Sequence, residues 1–119
     1  MTPGERFELE PGDAILGLAS SGPHSNGFSL IRKILEQAKP DGTFDLLTPT
    51  RIYVKPVLKL LETVPVKGIA HITGGGIPSN LPRIFPPGIG ATIDASSWEV
   101  PALFELIRRE GRVEPAEMF

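Results

Sequence analysis

The sequence predicts an α+β domain in which short buried strands alternate with amphipathic helices. Two observations carry this reading. Apolar residues fall either into brief runs that end on glycine-rich polar stretches or into longer runs with helical spacing. Gly and Pro number 13 each among 119 residues, roughly twice average usage, and they divide the chain into short elements joined by tight loops. With 40% hydrophobic and 22% charged residues, one folded domain over residues 1–119 is expected.

The first strand is expected at Ala14-Ile15-Leu16-Gly17-Leu18-Ala19, a wholly apolar run. Gly and Pro then interrupt any periodicity, so Ser20 to Gly27 reads as a loop. Phe28, Ile31, Ile34, Leu35 and Ala38 recur at helical spacing, with Arg32, Lys33 and Glu36 on the opposite face. Ser25 or Asn26 is the expected N-cap, and Lys39-Pro40-Asp41-Gly42 the stop. A second helix is expected over about Tyr53 to Thr63, with Pro56 within a turn of its start. Gly68 to Ile72 and Gly90 to Asp94 read as further strands, with a helical turn over Ser79 to Leu81 ended by Pro82. The last helix runs from about Val100 to Glu110, with Pro101 in its first turn and Gly111 as C-cap. A further segment starts at Val113, and the apolar pair Met118-Phe119 suggests a chain that continues.

Composition removes several classes of function. Cys is absent, which excludes disulfides, thiolate zinc sites and cysteine nucleophiles. Twelve basic against fourteen acidic residues give a net charge of −2, so no global field draws the chain to nucleic acid or an anionic membrane. The longest uncharged stretch, Ala14 to Ile31, contains Ser-Ser-Gly-Pro-His-Ser-Asn-Gly and is unsuited to a bilayer. Met1 to Arg6 lacks the apolar core of a signal peptide, so a soluble, cytoplasmic protein is expected.

Chemistry concentrates in two loops. In the first, a strand leads through Ser20-Ser21-Gly22-Pro23-His24-Ser25-Asn26-Gly27 into a helix, an arrangement that turns backbone N–H groups and the positive helix end toward an anion. Gly22 and Gly27 have Walker-A spacing, but Phe28 stands where the phosphate-binding Lys belongs, which rejects a standard P-loop. The residues alone leave a structural use open, with Ser25 and Asn26 as caps and His24 making a turn hydrogen bond. The second loop is Thr73-Gly74-Gly75-Gly76, where three glycines suggest close approach of a ligand or another backbone. Ser79 replaces the third glycine of a dinucleotide fingerprint. His71 alternates with apolar neighbours and is expected to be hydrogen-bonded and partly buried. With only two His and dispersed carboxylates, no metal site and no carboxylate pair can be assembled from the sequence. Arg51, Lys55 and Lys59 form a basic stripe only if the helix runs regularly through Pro56.

Four separated stretches carry a resemblance. Gly17 to Leu30, Leu47-Thr48-Pro49-Thr50-Arg51-Ile52-Tyr53-Val54-Lys55, Ala70 to Gly76 continuing to Asn80-Leu81-Pro82-Arg83, and Ser96-Ser97-Trp98-Glu99-Val100-Pro101 occur in order. Together they make the chain resemble the C-terminal domain of the phosphoribosylformylglycinamidine cyclo-ligase family, also called aminoimidazole ribonucleotide synthetases. The resemblance implies α/β/α layers with a mixed β-sheet flanked by helices, partly ferredoxin-like and truncated. It implies the ATP-dependent conversion of formylglycinamidine ribonucleotide to aminoimidazole ribonucleotide in purine synthesis. In that reaction the formamide oxygen is phosphorylated and the amidine nitrogen closes the ring as phosphate leaves. It further implies a homodimer in which ATP and Mg2+ are bound mainly by an N-terminal domain that is not part of this sequence.

On this resemblance, residues 1–119 are an incomplete substrate-side domain. Ser20, Ser21, Gly22, His24, Ser25 and Asn26 are the expected substrate or phosphate loop, and Gly74, Gly75, Gly76 and Asn80 a second segment facing the same cleft. His24 and His71 are the side chains suited to proton transfer near neutral pH. Selenophosphate synthetases, hydrogenase-maturation proteins and thiamine-monophosphate kinases share the superfamily, but Ser-Gly-Pro-His-Ser-Asn-Gly combined with Thr-Pro-Thr-Arg-Ile-Tyr argues against them. The other class of function is a non-catalytic ligand-binding or interaction module, prone to self-association through exposed apolar surface.

Overall fold

The structure is a computed structural model that describes residues 8–38 and 44–119. The predicted helix stop at Lys39 to Gly42 and the segment Met1 to Arg6 lie outside the described residues. Among the described residues four α-helices are formed: α1 (Phe28–Ala38), α2 (Val54–Thr63), α3 (Gly76–Asn80) and α4 (Ala102–Gly111). Short 3-10 turns occupy Leu81–Ile84, Ala95–Ser97 and Pro115–Met118. Among the described residues no helix is long and apolar enough to cross a membrane.

The core is the crossing of α1 and α4. Ile31 and Ile34 on one helix bury against Leu103 and Ile107 on the other, with Leu35, Phe44, Leu46, Phe104, Val113 and Met118 packed around them. Each such fully buried aliphatic side chain contributes about 1.5–3 kcal/mol. The two helices approach where α4 carries no side chain. A Cβ at Gly111 would overlap Ile34 Cδ1. Gly111 is therefore the last residue of α4 and serves the contact, while the left-handed C-cap falls on Arg112 (φ 47°), whose N–H bonds the Arg108 carbonyl.

The other helix ends follow backbone chemistry. Pro56 sits in the first turn of α2, where its missing N–H breaks no bond, and the ladder starts with Val57 N–H on the Tyr53 carbonyl. Arg51 lies outside α2, so the basic stripe reduces to Lys55 and Lys59. At α1 the cap position is taken by Gly27 (φ 74°), whose carbonyl accepts the Ile31 N–H. Pro101 precedes α4 as its N-cap. Pro82 does not end the helical path but enters the 3-10 turn that extends α3.

The predicted mixed sheet is not found. Among the described residues no strand forms, which overturns the α/β/α and partly ferredoxin-like layering. A strand is completed by the N–H and C=O groups of a neighbour. Among the described residues, 14–19, 68–72 and 90–93 exchange no backbone hydrogen bonds with any other backbone. Their apolar side chains remain outward, with Leu16 67% and Ile69 59% exposed. The accessible surface is accordingly 9520 Å², against roughly 6,300 Å² for a compact monomer of this mass. The radius of gyration, 17.0 Å, likewise exceeds the about 13–14 Å of a compact domain.

Candidate functional site

The loop Ser20 to Gly27 is a tight turn entering α1, closed by the Asn26 N–H on the Pro23 carbonyl. His24 occupies the left-handed region (φ 53°), a conformation that costs a non-glycine residue about 1–2 kcal/mol and is favoured where side chains are redirected. It turns the imidazole back onto Ser21. The Ser21 N–H donates to His24 Nε2 at 3.0 Å, the turn hydrogen bond foreseen as the structural use of this residue. Ser21 Oγ lies 3.1 Å from the same nitrogen and donates to the Pro49 carbonyl at 2.8 Å.

That last bond ties the loop to a segment 28 residues away in sequence. The tie is doubled by Tyr53, whose hydroxyl donates to the Ala19 carbonyl at 3.0 Å and whose ring centre lies 6.3 Å from that of His24. The segment is shaped in turn by Asp45, which accepts from the Thr48 hydroxyl at 2.8 Å and the Leu47 N–H at 2.9 Å. These bonds, the Thr48 hydroxyl first, hold the Asp45 carboxyl below its usual range. Thus Leu47 to Tyr53 and Ser20 to Gly27, two stretches of the resemblance, meet in space. Pro49 and Tyr53 were not among the expected site residues. Their only sequence signal was membership of the resembling stretch, because a long-range bond leaves no periodicity.

In this loop Ser21, Gly22 and His24 are half-buried, while Ser20, Ser25 and Asn26 are exposed. Among the described residues neither the Ser25 nor the Asn26 side chain makes a hydrogen bond, so neither caps the first N–H groups of α1. The loop therefore presents hydroxyl, carboxamide and backbone donors on a frame fixed from behind.

The second loop is held from within. Asn80, only 2% exposed, donates its carboxamide to the Thr73, Gly74 and Gly76 carbonyls at 3.3, 3.3 and 2.7 Å, and accepts from the Thr73 hydroxyl at 3.1 Å. Gly75 and Gly76 both take positive φ. A Cβ at Gly76 would overlap the Phe119 backbone, whose carbonyl accepts the Ile77 N–H at 2.6 Å. The close approach that the glycines permit is thus to another stretch of backbone. Gly74 and Gly75 remain exposed, and no hydrogen bond joins the two loops among the described residues. His71 is exposed and has no hydrogen-bond partner among them, contrary to the expected partly buried state.

Beside α3 an open groove of about 550 Å³ is lined by Ile77, Leu81, Phe85, Ile93, Trp98 and Phe119, with no charged side chain. It holds no charged side chain for an anion, so the polar loop at α1 is the better candidate for an anionic ligand. Among the described residues no three His, Asp or Glu side chains converge on one point.

Comparison with known proteins gives this geometry a lineage. The phosphoribosylformylglycinamidine cyclo-ligase of Chromobacterium violaceum is 55% identical over 94% of this chain and 35% of its own length. The proteins of the same name from Cupriavidus pinatubonensis and Nitrosospira multiformis are 52% and 53% identical, each over 92% of this chain and 34% of their own length. The chain spans about a third of the length of these curated relatives. The family model described as AIR synthase related protein, C-terminal domain, matches residues 10–119. The two stretches joined by Ser21 and Tyr53 both lie inside that match, and the chain belongs to the C-terminal domain family of AIR synthase related proteins.

Proposed function

We propose that the chain is the substrate-side domain of an ATP-dependent cyclo-ligase that converts formylglycinamidine ribonucleotide to aminoimidazole ribonucleotide in purine synthesis. The observation that carries this reading is the docking of Ser20 to Gly27 onto Pro49 and Tyr53. It fixes a polar loop at the start of α1. Similarity to relatives that bear the cyclo-ligase name supports the choice of reaction.

In this reading Ser20, Ser21, Gly22, His24, Ser25 and Asn26 form the substrate loop. Exposed side chains and α1 backbone donors meet the anionic oxygens, and Ser21 keeps the loop on its support. Gly74, Gly75 and Gly76 form a second segment whose shape Asn80 maintains. His24 and His71 are the groups available for proton handling. Ring closure is intramolecular, so the domain contributes chiefly by fixing one conformation of the substrate and by setting donors where phosphoryl charge develops. ATP and its Mg2+ are held mainly by an N-terminal domain outside this chain, the complete enzyme is a homodimer, and its location is cytoplasmic.

The test is Asn26→Ala in a complete cyclo-ligase carrying this domain, read as ATP-dependent formation of aminoimidazole ribonucleotide. Asn26 is exposed, and among the described residues its one hydrogen bond is made by its backbone N–H. Turnover is expected to fall about a hundredfold, the scale of losing one well-placed donor. Unchanged turnover with an intact fold would remove the loop from the site.

A second reading, an interaction module without activity of its own, is favoured by the excess of accessible surface. Light scattering over a concentration series of this chain checks it: concentration-dependent association is expected, and a monomer throughout counts against it.

A further inference from the structure

The run Ala14 to Ala19 lacks both a backbone partner and cover. It holds no turn or bend, and none of its N–H or C=O groups bonds another backbone among the described residues. Ile15, Leu16 and Leu18 are 48%, 67% and 54% exposed, and a Cβ at Gly17 would meet nothing within 4 Å. Consecutive residues of an extended segment face opposite sides, so these side chains call for cover on both. Apolar cover alone, from a lipid or a small molecule, would strip water from the peptide groups without pairing them; another backbone does both. One edge of the run is already engaged on this chain, where the Ala19 carbonyl accepts the Tyr53 hydroxyl at 3.0 Å. Backbone groups of alternate residues in a strand are directed to opposite edges, so those of Leu16 and Leu18 lie on the other, free edge.

We infer that the partner of residues 14–19 is a second copy of this chain, and that the two runs form a symmetric antiparallel β-pair centred on Gly17. In this register each Leu16 stands opposite the Leu18 of the other copy and exchanges N–H and C=O bonds with it along the free edge. The leucines then share one face, and Ile15, Gly17 and Ala19 of both copies share the other. No charge opposes the pairing: residues 14–19 are uncharged, and the neighbouring Asp13 is held by Lys67 Nζ at 2.7 Å. The area suffices as well. An accessible surface of 9520 Å² exceeds that of a compact monomer by roughly 3,200 Å², while a stable complex needs about 800 Å² from each partner. The inference rests on the second reading above, the interaction module, and names its partner and its surface.

The chain has no Cys, so single cysteines introduced into the 119-residue chain report the register. On the two-fold axis position 17 faces its own copy with Cα atoms about 4.5 Å apart, within disulfide range. The two copies of position 16 are diagonal neighbours about 8 Å apart, too far for a bridge. Mild oxidation of Gly17→Cys is therefore expected to give a covalent dimer, and of Leu16→Cys to leave the single chain. For the unmodified chain, light scattering over a concentration series should approach twice the chain mass while the infrared strand band rises in step. Leu16→Lys, which sets a charge on the pairing face, should return the mass to one chain with its helical circular dichroism unchanged. No cross-link at position 17, equal cross-linking at 16 and 17, growth beyond two copies, association without a strand band, or a dimer that survives Leu16→Lys would each overturn the pairing and leave the broader reading of self-association standing. A monomer at every concentration overturns both.

Discussion

The two glycine-containing loops are built on opposite plans. Thr73 to Asn80 is held from inside: a buried carboxamide meets three carbonyls and a hydroxyl, and the outer face is mostly backbone. Ser20 to Gly27 is held from outside by Pro49 and Tyr53, and the Ser20, Ser25 and Asn26 side chains stay on the solvent face. A loop that satisfies its polar groups internally is rigid but has little left to offer a ligand. A loop braced by another segment keeps its donors available, at the cost of depending on that segment.

The sharpest way to break this contrast is Asn80→Ala. It removes the buried carboxamide that joins the Thr73, Gly74 and Gly76 carbonyls to the Thr73 hydroxyl, and should destabilise the chain by about 2 kcal/mol in urea unfolding. A loss under about 1 kcal/mol would mean that the second loop is not held by this side chain. Next come paired glycine substitutions. Gly22 and Gly76 both have positive φ, but a Cβ at Gly22 meets nothing whereas one at Gly76 meets the Phe119 backbone. Gly76→Ala should cost about 2 kcal/mol or more and Gly22→Ala about 1 kcal/mol, and equal losses would erase the distinction.

Tyr53→Phe removes one brace of the first loop. Its stability effect should be at most about 1 kcal/mol, the net worth of one hydrogen bond. Hydrogen exchange gives the sharper signal: amides of Ser20 to Gly27 should exchange faster while those of Thr73 to Asn80 do not change. The smallest effect concerns pH. Asp45 has a lowered pKa, so its bonds to Thr48 and Leu47 add stability above the usual carboxylate range and lose it as pH falls through the native value. The Leu47 amide should lose protection below about pH 4, a step that Asp45→Asn abolishes. The Asn80 hydrogen bonds of the second loop involve no titratable side chain among the described residues and should show no such step.

The helices were legible because a 3.6-residue period survives in any environment: Ile31 and Ile34, and Leu103 and Ile107, mark their buried faces without knowledge of the partner. The apolar runs at 14–19 and 68–72 were misread because a strand is a property of two segments, and sequence describes them one at a time. Gly111 was misread as a cap because glycine permits both a left-handed turn and a close approach, and only the position of Ile34 decides between them. At the site, the residue types of the first loop were visible, but its bracing by Pro49 and Tyr53 was not. Asn80 showed the converse: a polar residue beside a glycine loop looks ligand-facing in sequence, and burial turns its carboxamide inward.

The large native surface has a thermodynamic consequence. An unfolded chain of this mass exposes about 18,600 Å², so folding to 9520 Å² hides about half of it, where a compact domain of this length hides about two thirds. Denaturant slope and heat-capacity increment both scale with the surface newly wetted on unfolding. The transition of this chain should therefore be shallow in urea and broad in temperature. The α1–α4 pair would then be the last part to melt, and the two loops would lose their shapes in separate steps instead of one concerted event.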